Sequence, residues 1–168
     1  MKTIIERLQD GNRRYMASDS GTLRVKLATE GQHPYAVVVC CSDSRVIPEE
    51  IFGTSIGELF VIRVAGNVLD NHQIGSIEYA IDHLGCKLVV MLGHTGCGAV
   101  GAALEGHADG YVSYILDDIR KAIGNVRDPY EACRLNVIHG VDVLKRELDG
   151  VEIRGAVYDI LTGEVRWL

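Results

Sequence analysis

Three short apolar runs, each closed by a polar turn, set the pattern of the chain: Tyr35 to Cys40 with Val37, Val38 and Val39 unbroken, Leu59 to Val64, and Lys87 to Leu92. Continuous rather than alternating hydrophobicity fits strands buried on both faces, as parallel sheets require. Between the second and third runs, Ile74, Ile77, Ile81 and Leu84 recur at helical spacing, from Asn71 as a cap to Gly85 as a stop. Strand, helix, strand at these lengths predicts a βαβ crossover, normally right-handed.

Other segments extend the pattern. Residues 2 to 16 set Ile4, Ile5, Leu8 and Tyr15 among charges at helical intervals, predicting an amphipathic helix. Residues 17 to 34 read as polar loop, with a short helix around Leu23 to Ala28, ended by Pro34. Pro48 opens a turn of helix through Phe52. After Gly98 the small residues Ala99, Val100, Ala102 and Ala103 predict a helix close on the sheet, and residues 111 to 123 another. Asp128-Pro129-Tyr130-Glu131 opens a helix running to about Leu148. Ile153 to Ile160 predicts a strand, with Glu164 to Leu168 pairing back as a hairpin. The expected fold is α/β: a mostly parallel β-sheet flanked by helices, with a C-terminal antiparallel edge hairpin. One domain is expected over residues 1–168, with an N-terminal helical arm over 1–34 and an α/β core over 35–168.

Composition narrows the function classes. Hydrophobic residues make up 47% of the 168 and charged ones 24%, ordinary for a soluble globular protein. A net charge of -6 argues against a broad nucleic-acid footprint. Met1 to Arg7 turns charged before a signal-peptide core forms, and no apolar run approaches the ~18 residues of a membrane span, so a cytoplasmic location is expected. Five cysteines, at 40, 41, 86, 97 and 133, form an odd set without the density of a disulfide scaffold. Cys86 and Cys133 read as small core residues.

The candidate chemistry sits at strand ends. Gly93-His94-Thr95-Gly96-Cys97-Gly98 follows the third run, with His94 and Cys97 three apart where the chain turns. That is metal-ligand spacing, and zinc wants four donors, or three plus an exchangeable water if the site is catalytic. The first run ends in Cys40-Cys41-Ser42-Asp43-Ser44-Arg45, so neighbouring parallel strands would bring a third donor to the same crevice. Adjacent strand side chains point to opposite faces. Cys40 completes the Val run while Cys41 opens the polar turn, which favours Cys41, with His94 and Cys97, as a Cys2His set with one position open. A closed structural zinc with a fourth Cys or His is the alternative.

Arg45 is placed to take Asp43 bidentately and hold it ionised, leaving an oxygen free to accept the proton of a zinc-bound water. A plain ion pair, or Asp43 as fourth ligand, fits the spacing equally. His83 and His139 fall in helical patterns as core or surface residues, and His33, His72 and His107 sit in or beside loops as solvated groups. The glycines at 93, 96, 98 and 101 lack both the Walker and the dinucleotide spacing.

Cys41-Ser42-Asp43-Ser44-Arg45, Arg63-Val64-Ala65-Gly66-Asn67, Gly75-Ser76-Ile77-Glu78-Tyr79-Ala80 and His94-Thr95-Gly96-Cys97-Gly98 together closely resemble the β-class carbonic anhydrases. The similarity is strong from Leu8 to about Leu104 and weak thereafter. It implies Cys41 rather than Cys40 as ligand, one Zn2+ per subunit on Cys41, His94 and Cys97, and an Asp43–Arg45 catalytic dyad. The activity implied is that of a carbonic anhydrase, a lyase: reversible hydration of carbon dioxide to bicarbonate and a proton by attack of zinc-bound hydroxide. The resemblance also implies a homodimer or homotetramer with active sites at the subunit interface and the N-terminal helix laid across the partner. Gln32, Phe60, Tyr79 and the Gly98 N–H match substrate-binding positions. Some members of this fold hydrolyse carbonyl sulfide or carbon disulfide on the same zinc set, and a non-catalytic zinc- or bicarbonate-binding protein is a further alternative. The chain departs from plant-type members in its shorter C-terminal region and in Arg63-Val64-Ala65-Gly66-Asn67, where they carry Arg-Asn-x-Ala-Asn. It shows no clear equivalent of the Trp-Arg-Tyr bicarbonate site of the allosteric subtype.

Overall fold

The computed structural model describes residues 2–18, 21–106 and 109–168. His107 lies outside them. The chain divides into two compact units, Met1–Gln32 and His33–Leu168.

In the first unit, α1 (Ile4–Met16) starts on a capping box. Thr3 accepts the Glu6 N–H at 3.3 Å, and the Glu6 carboxylate accepts the Thr3 N–H at 2.7 Å. None of its residues is buried, and Ile4, Ile5 and Leu8 stand exposed. The stretch read as polar loop folds instead as α2 (Gly21–Glu30), longer than the short helix expected. Leu23, Arg24, Lys26, Leu27 and Ala28 favour helix, and no proline interrupts before Gly31 turns left-handed at φ 84°.

The second unit is built on five strands: β1 (Ala36–Cys40), β2 (Leu59–Arg63), β3 (Leu88–His94), β4 (Glu152–Tyr158) and β5 (Val165–Trp167), in the order β2-β1-β3-β4-β5. All pairs are parallel except the antiparallel β4–β5 edge, so the mixed α/β sheet has the expected class. The helices are α3 (Pro48–Ile51), α4 (Asn71–Leu84), α5 (Gly98–Glu105), α6 (Val112–Ile123) and α7 (Pro129–Glu147).

Strand alternation sorts the Val run. Val37 and Val39 join Val89, Met91 and Val157 under Ile77 of α4 and Val137 and Leu144 of α7, while Val38, Cys40, Val90 and Leu92 pack on the opposite face. Removing a side chain such as Ile77, fully buried here, costs ~2–5 kcal/mol in comparable cores. A third cluster, at the carboxyl ends of β1 and β3, joins Cys41 and Cys97 to Leu116 and Ile119 of α6 and Cys133 of α7.

Two boundaries differ from expectation. The cap of α4 is Asp70, not Asn71: its carboxylate accepts the His72 N–H at 2.8 Å and Gln73 reaches back to the Asp70 N–H at 2.9 Å. β3 runs two residues further than expected, because pairing with β4 continues through Gly93–Val157 and His94–Tyr158. Among the described residues no helix is long and apolar enough to cross a membrane.

Candidate metal centre

β1 and β3 are adjacent and parallel, and the chain leaves them in opposite directions, β2 lying beyond β1 and β4 beyond β3. Their carboxyl ends therefore flank a topological switch point, where open α/β sheets hold ligands. Cys41 follows the last residue of β1, His94 ends β3, and Cys97 caps α5. Their donor atoms lie within 4.8 Å of one another and all three residues are buried. The two sulfurs are 3.9 Å apart. Cys40 points the other way, into the opposite core, and burial pushes its thiol up to about 12.

His94 is set for ligation by its neighbours. Its Nδ1 lies 2.9 Å from the Thr95 carbonyl, a bond only an Nδ1–H can make, which leaves the Nε2 lone pair free. Nε2 is buried without a partner. Such an orphan costs ~1–3 kcal/mol, an expense removed if a cation accepts the lone pair. Thr95 is itself fixed by β4 and its turn: its N–H donates to the Tyr158 carbonyl at 2.9 Å, and its hydroxyl accepts the Ile160 N–H at 3.1 Å.

Both sulfurs sit in donor-rich surroundings. The Gly66 N–H donates to Cys41 Sγ at 3.3 Å. Cys97 receives the Val100 and Ala99 N–H groups of the first turn of α5, whose dipole also favours a thiolate. Cys41 is pulled down, first by the Cys97 thiol donating to it and then by the Asp43 and Gly66 N–H groups, against burial. Cys97 is pushed up by the same pairing and by burial. Two thiolates and a neutral imidazole with a free lone pair form the donor set of a tetrahedral zinc site, so these residues fit the ion the sequence suggests.

Asp43 stands at the rim. Arg45 grips it bidentately, Nε to Oδ1 at 2.9 Å and Nη2 to Oδ2 at 2.7 Å, and the Arg45 N–H adds a bond to Oδ1 at 3.0 Å. These bonds hold the carboxyl well below the usual carboxylate range. Oδ2 also lies 4.0 Å from His94 Nε2, the buried nitrogen that belongs to the three-donor cluster.

The remaining candidates are dispersed. Gly98 opens α5 beside Cys97. Phe60 and Tyr79 pack together with ring centroids 6.3 Å apart, but on the edge strand and α4, with Phe60 in register with Val37 rather than with the end of β1. Gln32 is exposed at the end of the first unit. Sequence reasoning gave no role to four residues that support the donors: Arg63, Gly66, Thr95 and Asn136. Asn136 left no signal beyond being a polar residue amid an apolar helical pattern.

The sequence model of the family described as carbonic anhydrase matches residues 36–165. The chain belongs to the carbonic anhydrase family. It is 43% identical over 127 residues to carbonic anhydrase 2 of Mycobacterium tuberculosis, covering 71% of this chain and 61% of that protein. With the carbonic anhydrase of Mycolicibacterium smegmatis it shares 46% over 138 residues, covering 79% and 63%. The chain thus spans about three fifths of the length of these curated relatives. The structure of the β-carbonic anhydrase CafA of Aspergillus fumigatus superposes with a TM-score of 0.83 at 28% identity, over 99% of this chain and 91% of the other. A β-carbonic anhydrase of Sordaria macrospora, described as tetrameric, matches with a TM-score of 0.83 at 27% identity over 99% and 98%. Family membership is therefore in the β class.

Proposed function

We propose that this protein catalyses the reversible hydration of carbon dioxide to bicarbonate and a proton, using one Zn2+ per subunit held by Cys41, His94 and Cys97. The observation that carries the reading is the convergence of three buried donors, one an orphaned imidazole nitrogen, beside a carboxylate locked in its ionised form. A bound Zn2+ supplies Lewis acidity, lowering the pKa of a coordinated water towards ~7 from 15.7.

The chain's own residues do the rest. Asp43 offers Oδ2 as an acceptor to the attacking water and so fixes the direction of its lone pair. Arg45 keeps that carboxylate from taking a proton near neutral pH. The Gly98 N–H, at the open start of α5, is a donor for a substrate oxygen. Phe60 and Tyr79 supply an apolar wall suited to a small uncharged substrate, and as they stand at the sheet edge they do so for a neighbouring subunit of a homodimer or homotetramer.

Stopped-flow carbon dioxide hydration, with zinc quantified on the same sample from about pH 6.5 to 9, tests the reading, since the range brackets the lowered water pKa. Turnover that tracks zinc content and rises with pH supports it. Full zinc occupancy without turnover overturns it, and carbonyl sulfide and carbon disulfide become the substrates to try.

A further inference from the structure

Asn136 lies in the middle of α7, is 5% exposed, and sits far in sequence from every candidate ligand. Its side chain donates from Nδ2 to the Gly66 carbonyl at 2.8 Å. A carbonyl can only accept, so this contact fixes which end of the Asn136 amide faces Gly66. Gly66 in turn donates its own N–H to Cys41 Sγ.

The 3-10 turn Ala65–Asn67 that carries Gly66 has little other freedom. Gly66 is left-handed at φ 67°, and a Cβ there would fall 2.7 Å from Ile119 Cδ1 and 3.1 Å from Ala99 Cβ. The next residue, Asn67, is the one non-glycine residue at positive φ among those described, at 45°, and is 3% exposed. Two successive left-handed residues are held by packing against α5 and α6 on one side and by the Asn136 bond on the other. Without that bond the Gly66 carbonyl is a buried acceptor lacking its partner, and the turn gains by rotating towards water.

We propose that Asn136 is a positioning residue for the metal centre: through the Gly66 carbonyl it fixes the turn that aims the Gly66 N–H at the Cys41 sulfur. An N–H donated to a ligating thiolate stabilises its charge against protonation and holds the sulfur in its ligating position, and such outer contacts commonly set metal affinity. Asparagine fits because the position needs an uncharged donor. Aspartate would bury a charge facing an acceptor, and leucine would leave the carbonyl orphaned. The inference rests on the reading that Cys41 is a metal ligand.

The test uses Asn136→Ser, too short to reach the carbonyl, with Leu144→Val as a packing control lower on the same helix. Zinc affinity is measured by competition with a chromophoric chelator, and the thiolate-to-metal charge-transfer band is recorded on the Co2+-loaded proteins. The expected result is zinc affinity about 10–100-fold weaker and a displaced band in Asn136→Ser, with both readouts unmoved in Leu144→Val. Unchanged affinity and band in Asn136→Ser, or equal losses in the control, overturn the proposal. A readout on the wild type needs no variant to fold: in protein loaded with 113Cd, the Gly66 amide proton should show scalar coupling to the metal through the sulfur, and its absence overturns the first link. None of these readouts needs carbon dioxide turnover. A wild type that binds zinc and behaves as described but does not hydrate carbon dioxide would overturn the proposed function alone.

Discussion

The guanidinium of Arg63, at the end of the edge strand β2, donates to the main-chain carbonyl of Asp43 at 2.7 Å. Its Nε reaches the Cys41 carbonyl at 3.4 Å. One side chain thus spans the turn that carries both a sulfur donor and the acid. Arg63→Ala is expected to lower kcat/KM for carbon dioxide hydration about 10–100-fold, the usual range for an outer-shell contact. Arg63→Lys should recover little, because a point donor cannot span two carbonyls. Wild-type turnover in Arg63→Ala would show that the turn holds its shape unaided.

Asp43 should set a pH dependence of stability but not of turnover near neutrality. Its carboxyl is held down by the Arg45 side chain and then by the Arg45 N–H, so the unfolded chain binds the proton more readily than the folded one. The stabilisation is therefore fully present above the ordinary carboxyl pKa of ~3.9 and is lost as pH falls through the lower folded value. Urea midpoints of the metal-free protein between about pH 5 and 2 should fall more steeply for wild type than for Asp43→Asn. Turnover of Asp43→Asn should drop about 10²–10⁴-fold, the range for a positioned proton acceptor. An Asn variant with unchanged turnover would reduce the Asp43–Arg45 contact to a structural ion pair.

Elemental analysis separates the two adjacent thiols. Cys41→Ser should lose zinc, since it removes one of three converging donors, whereas Cys40→Ser should keep it, because Cys40 is buried on the far face with its thiol pushed up to about 12. Retention in the first and loss in the second would reverse the ligand assignment.

What was legible in the sequence was whatever local spacing could carry. The three Val- and Leu-rich runs declared parallel strands because burial on both faces removes the alternation of an exposed strand. His94 and Cys97 were readable as a pair because three residues at a strand end separate them. Joining Cys41 to them required that β1 and β3 be neighbours, a condition that no spacing in the sequence supplied and that the strand order β2-β1-β3 meets. The supports were invisible for the opposite reason: Asn136 meets Gly66 across 70 residues and Arg63 meets Asp43 across 20, and no periodicity records a contact made only by folding. Misplacing the cap of α4 by one residue, and stopping β3 short of His94, reflect how weakly sequence fixes element ends.

The Phe60–Tyr79 pair tests the assembly. Phe60 lies level with Val37 on the edge strand, well short of the end of β1, and Tyr79 is 48% exposed. A role at the reaction site then requires a second subunit. Activity should fall away on dilution as sedimentation shows dissociation, and Tyr79→Ala should raise KM more than it lowers kcat. A monomer with full turnover would remove both residues from the substrate pocket.

Gly93 offers a test of how tightly the ligand strand is packed. A Cβ at this position would fall 2.4 Å from Val137 Cγ2 on α7, too close for any rotamer adjustment short of moving the valine or the helix. Gly93 is buried and directly precedes His94, so the strain enters at the metal centre. Gly93→Ala is expected to cost ~1–3 kcal/mol of stability by overpacking, read from urea midpoints of the metal-free protein. Pairing it with Val137→Ala, which clears the clashing methyl, should recover part of that loss, whereas two independent sites would simply add their costs. Zinc affinity should follow the same order, weakest in Gly93→Ala and partly restored in the double variant. A Gly93→Ala protein as stable as wild type would mean that α7 can shift away from β3 freely. That outcome would also weaken the role given to Asn136, which depends on the same helix standing at a fixed distance from the ligand turn.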